Sequence, residues 1–163
     1  MDHPIEWRYP RAPISVPRAR ARLAAQAREW KLPDETAETA VLLLSELMAN
    51  ACRHARVPGR EIRVRCRFDG ERLRVEVLDA DRALPVPREP RPLAESGRGL
   101  GIVAALAEGW GAYPRECGIG KAVWFELAVP PDGDVSPPRT GPGRRGAARP
   151  FPSPRPRRPA AGP

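Results

Sequence analysis

The sequence predicts a single α/β domain, on three observations. Two apolar stripes of helical period run between residues 15 and 55, alternating strands meet at Asp69-Gly70, and a second hairpin follows a glycine-rich run. At 163 residues the chain is sized for one core, and its large apolar side chains become sparse after Pro130. The domain is therefore read over residues 1–129. Residues 130–163 read as a disordered Pro/Arg-rich tail, too poor in apolar surface to offset the entropy of ordering. That tail carries seven Arg against Asp132 and Asp134, a net +5 of the chain's +8, so only +3 belongs to the domain.

Ile5, Trp7 and Tyr9 alternate with charged residues, the period of a half-buried strand. Ser15 is placed to cap a first helix carrying Val16, Leu23, Ala27 and Trp30 at helical spacing, and Leu32-Pro33 stops it. A second helix runs from Asp34 to about residue 55, with Ala37, Val41, Leu44, Met48, Ala51 and Ala55 on one stripe. At about 100° per residue, Glu46, Asn50 and Arg53 fall opposite that stripe, with His54 close by. Ile62, Val64, Cys66 and Phe68 alternate with arginines, Asp69-Gly70 signals a hairpin turn, and Leu73, Val75 and Val77 form the return strand. Residues 80–96 hold four prolines and no period, so a long loop follows. Ser96-Gly97-Arg98-Gly99-Leu100-Gly101 then opens a short helix, with Leu100, Val103 and Leu106 or Ala107 inward and Gly109 as its stop. Strands over residues 112–115 and 122–129 close the domain around Gly118-Ile119-Gly120.

Three separated features carry chemistry. A Gly-x-Gly-x-Gly run opening a helix leaves backbone N–H groups and the positive end of a helix dipole available to phosphate. It lacks the lysine and hydroxyl of a Walker loop, and no strand precedes it as in a dinucleotide fold. On the second helix, Leu42 and Leu43 lie toward the side of Glu46 and Asn50, which predicts a cover over that face. A carboxylate and a carboxamide one turn apart under cover suit a metal–phosphate site. Asp79, at a strand end, is the third. His54 has two readings, a dipole partner at a helix end or a ligand.

Taken in order, Glu46-Leu47-Met48-Ala49-Asn50-Ala51-Cys52-Arg53-His54-Ala55, Asp79, Gly97-Arg98-Gly99-Leu100-Gly101 and Gly120-Lys121-Ala122-Val123-Trp124-Phe125 resemble the bacterial anti-sigma-factor serine/threonine kinases. These belong to the GHKL, or histidine-kinase-like ATPase, superfamily. The resemblance covers residues 10–129 and implies a two-layer α/β sandwich, a mainly antiparallel sheet with helices on one face and ATP between the layers. It makes Glu46 the catalytic residue that orients or deprotonates the attacking hydroxyl, and Asn50 the Mg²⁺ ligand. It makes Asp79 the acceptor of the adenine amino group, and Gly97, Gly99 and Gly101 the phosphate cradle. Leu100 and Lys121 are nucleotide-binding positions of the same boxes, and Arg98 is either a phosphate partner or a solvent-facing charge. Two positions depart from the family pattern: Asp81 stands where a small residue is usual, and Ala122 where a hydroxyl is expected near adenine.

The function expected is phosphorylation of a protein antagonist, controlling release of a sigma factor by partner switching. The family's members often form homodimers. The alternative is a non-catalytic ATP-binding protein that sequesters a partner. Nucleic acid is the weakest partner class, because the Arg-rich tail offers only Phe151 for stacking. Cys52, Cys66 and Cys117 have no metal-ligand or disulfide spacing, and no leader or spanning stretch is evident, so a cytoplasmic protein without membrane contact is expected.

Overall fold

The computed structural model describes residues 4–54, 61–80, 98–116 and 118–130. Period-two alternation becomes five strands, β1 (Ile5–Tyr9), β2 (Ile62–Phe68), β3 (Arg72–Asp79), β4 (Gly109–Pro114) and β5 (Lys121–Ala128). They form one sheet in the order β1-β2-β3-β5-β4, every neighbouring pair antiparallel. Register draws the apolar positions into rows across the sheet. Trp7, Val64, Val77, Val123 and Ala112 form one, and Ile5, Cys66, Val75, Phe125 and Trp110 the next. Side chains alternate between the two faces of a strand, so these rows share one face. Phe125, Val64 and Val75 are fully buried there, each worth about 1.5–3 kcal/mol against exposure.

The helices are α1 (Ser15–Glu29), α2 (Asp34–His54) and α3 (Arg98–Leu106). α2 lies on β3 and β5, while α1 and α3 both pack against α2. Ala19, Leu23 and Ala27, four apart, are fully buried on α1, and two alanines in that row allow α1 to approach α2 closely. The expected two-layer α/β sandwich is therefore the observed one.

Several local expectations change. Ser15 is the first residue of α1 and not its cap; Ile14 holds that position. The Ser15 hydroxyl is buried and donates to the Pro10 carbonyl at 2.6 Å, tying the helix to the end of β1. α1 stops through a Schellman motif. Leu32 N–H donates to the Ala27 carbonyl and Lys31 N–H to that of Arg28, with Lys31 at φ 55°. The β2–β3 turn is centred one residue later than Asp69-Gly70: Asp69 N–H donates to the Arg72 carbonyl, and Gly70 takes the positive φ of 98°.

Gly109 does not end α3. Glu108 N–H already donates to the Glu126 carbonyl, so Gly109 begins β4 three residues before the expected strand. Gly111 also belongs to β4, and a Cβ there would come within 3.1 Å of the Trp124 indole. Of the alternatives Leu106 and Ala107, Leu106 is 48% exposed and Ala107 packs against the core, with Leu100 and fully buried Val103. The long loop, the end of α2 at Ala55, Cys117 and the tail lie outside the described residues.

Cys52 and Cys66 are free thiols. Burial pushes the Cys66 thiol up to about 12, with the nearby Glu76 charge acting in the same direction. Burial also raises Cys52, which is only half-buried, while Arg11 pulls it the other way. Native protein treated with iodoacetamide at pH 8 should therefore carry label at Cys52 long before Cys66. Peptide mass mapping measures this, and equal labelling would contradict the packed Cys66 site.

Candidate functional site

α2 presents a flank to α3, and the sequence explains which residues lie on it. Leu43, Leu47 and Asn50 follow at intervals of four and three, with Glu46 alongside. Leu43 and Leu47 are buried, and Glu46 and Asn50 half-buried. The predicted cover exists over Leu43 but not over Leu42, which is 43% exposed; the covered strip is narrower than the sequence suggested.

The cover is the first turn of α3. Gly99 is buried against Glu46, and a Cβ there would stand 2.6 Å from Glu46 Oε2 and 3.4 Å from Glu46 Cβ. The Glu46 carboxylate thus lies beside a helix turn whose N–H groups have no partner within the helix, on the positive side of the helix dipole. An anionic phosphate would find the same environment, and one turn along α2 the Asn50 carboxamide supplies an oxygen. Gly101 differs from Gly99: it is exposed, and a Cβ there would meet nothing within 4 Å. Leu100 packs against the core. Arg98 and His54 are the first residue of α3 and the last of α2, and Gly97 lies outside the described residues.

The second part of the site is at the end of β3. Asp79 and Lys121 are direct cross-strand partners, on the helix-facing side by alternation with Val77 and Val123. They are 3% and 5% exposed, and Lys121 Nζ lies 3.2 Å from Asp79 Oδ2. Gly120 holds the adjoining backbone in place. Its φ is 84°, and a Cβ there would overlap the Asp79 carbonyl oxygen and lie 2.8 Å from Ala80 Cα. Sequence reasoning placed Gly120 in the closing turn and in a family box, but gave it no packing role against Asp79. The available signal was a glycine immediately before a strand whose first residue answers a buried carboxylate.

Register also moves Ala122. It pairs with Leu78 and Tyr113, and alternation turns it to the face opposite Asp79. Of the residues in this box, Lys121 and not Ala122 lies beside Asp79. Asp81 lies outside the described residues.

These parts border one helix: α2 contacts α3 on one side and β3 and β5 on another. Among the described residues no group of three or more His, Cys, Asp or Glu is placed to hold a metal. No helix among the described residues is long and apolar enough to cross a membrane.

The histidine kinase-like ATPase domain family matches residues 9–126, from the last residue of β1 to within β5. The chain belongs to that family, whose ligand is ATP. Among curated proteins no match is found.

The two glycines 120 and 101 should respond oppositely to a methyl group. Gly120→Ala, strained in φ and overlapping backbone, should cost about 2–5 kcal/mol in urea unfolding. Gly101→Ala, exposed on a helix, should leave stability unchanged or raise it by up to about 1 kcal/mol. Equal losses would contradict the packing of Gly120 on Asp79.

Proposed function

We propose that this member of the histidine kinase-like ATPase family is an anti-sigma-factor serine/threonine kinase. It would pass the γ-phosphoryl group of ATP to a hydroxyl of a protein antagonist and so control release of a sigma factor. The observation that carries the reading is the Glu46 carboxylate against Gly99 in the first turn of α3, with Asn50 one helical turn along α2. The hydroxyl oxygen bonds to the γ-phosphorus as the bond from that phosphorus to the β–γ bridging oxygen breaks. ADP leaves with the bond's electron pair, and the hydroxyl proton passes to Glu46. Bound Mg²⁺ supplies neutralisation of phosphate charge. Glu46 orients the nucleophile, Asn50 would hold Mg²⁺ through its carboxamide oxygen, and the N–H groups of α3 offset the phosphate charge. Asp79 accepts from the adenine amino group, and its buried site makes that bond selective.

A second reading keeps the binding and omits the turnover: nucleotide holds a conformation that sequesters a partner. Its ground is in the sequence, where Asp81 and Ala122 depart from the family pattern.

The two readings separate on Glu46. With radiolabelled Mg-ATP and a panel of serine-bearing antagonist proteins, Glu46→Ala should retain nucleotide binding and lose transfer by about 10²-fold or more. Asp79→Ala should weaken calorimetric binding by roughly tenfold or more. Transfer by Glu46→Ala at the wild-type rate would remove Glu46 from the chemistry. Binding without transfer to any protein of the panel would favour sequestration.

A further inference from the structure

The Asp79–Lys121 pair exceeds what the sheet needs. On the helix-facing side, the other pairs between β3 and β5 are apolar: Leu73 with Leu127, Val75 with Phe125, and Val77 with Val123. A further apolar pair would close the sheet as well, because replacing a buried ion pair with packed hydrophobic residues is often neutral or stabilising. Instead, two ions 3 and 5% exposed stand 3.2 Å apart, and Gly120 is pressed onto the Asp79 carbonyl beside them. Desolvating both charges is costly, and the position lies between the layers at the end where β3 stops.

We infer that Lys121 reads the base together with Asp79: Asp79 accepts from the N6 amino group of adenine while the Lys121 ammonium donates to ring N1. The inference rests on the ATP reading above and deepens it. Adenine presents along one edge a donor, N6–H, directly beside an acceptor, N1. The pair presents the complement, a carboxylate directly beside an ammonium, held in that order by cross-strand register. An ammonium has three N–H donors and can serve a carboxylate and a base together. A hydroxyl at position 121 would offer one donor without charge. A hydrogen bond from a buried cation is stronger, and a base lacking the acceptor would forfeit it.

The test is calorimetric titration of the full chain with the Mg²⁺ complexes of ATP, 1-deaza-ATP, in which C–H replaces N1, and GTP. Wild type should bind 1-deaza-ATP roughly ten- to a hundredfold more weakly than ATP. Lys121→Met should bind the two alike, and Lys121→Arg should restore the difference. Equal binding of ATP and 1-deaza-ATP by wild type overturns the role of Lys121 while leaving ATP as the ligand. Absence of ATP binding by wild type removes the underlying reading. Tighter binding of GTP than of ATP overturns the adenine assignment, since guanine offers O6 to the ammonium and N1–H to the carboxylate. The wild-type comparison needs no variant to fold.

Discussion

The register between β3 and β5 is the constraint on which the rest depends. It places three apolar pairs under α2 and ends them with Asp79 opposite Lys121. A slip of one residue would exchange the faces of β5, turning Ala122, Trp124 and Glu126 toward the helices and Lys121 outward. Both faces oppose such a slip. On the outer face Arg74 bonds Glu76 and Glu126 at 2.8 Å each, and its guanidinium lies 4.1 Å from the Trp124 ring centre. Tyr113 donates to the other oxygen of Glu76 at 3.1 Å. The charged outer face and the apolar inner face therefore specify the same pairing, and the Asp79–Lys121 pair inherits its placement from both.

α2 joins that frame to the phosphate end. Its buried arc is wide, from Leu43 and Leu47 on one flank through Leu44, Met48 and Ala51, and half-buried Val41 and Cys52 extend it toward α1. A helix enclosed over so much of its circumference has little freedom to rotate. Glu46 and Asn50, just beyond the edge of the arc, are thereby aimed at α3 without needing a hydrogen-bond network to hold them. The division of labour is clear: packing orients the side chains that would meet phosphate, and strand pairing orients those that would meet the base.

How much of this was legible follows from how local each signal is. The β2–β3 hairpin, α2 and β1 announce themselves through period and turn chemistry, which depend on neighbours in sequence. The positions of Glu46, Asn50 and Asp79 were legible for the same reason. Ser15 misled because a serine before a helix reads as a cap, whereas here its burial demands the Pro10 carbonyl as a partner. β4 began too late in the sequence reading because Gly109 and Gly111 weaken a strand pattern, and only Trp124 on β5 explains them. That Ala122 faces away from Asp79 was not legible, because register is invisible without the partner strand. The Glu46–Gly99 contact and the pressure of Asp79 on Gly120 join segments more than 40 residues apart, and no period reports such meetings.

The seating of Trp124 over the glycines of β4 also constrains how this sheet edge can change through evolution. An alanine at 111 is crowded while the indole is present, since its methyl would stand 3.1 Å from ring atoms and the indole would have to give by a few tenths of an ångström. Losing the indole first opens a void that a side chain at 111 could then fill. The order of substitutions is thus biased: the small residue grows more easily once the large one has shrunk. Arg74, which rests on the same ring, would lose its platform at the first step. Lineages that cross this path would be expected to change positions 74, 111 and 124 as a linked set, making the outer face of the sheet a record of ancestry independent of the nucleotide site.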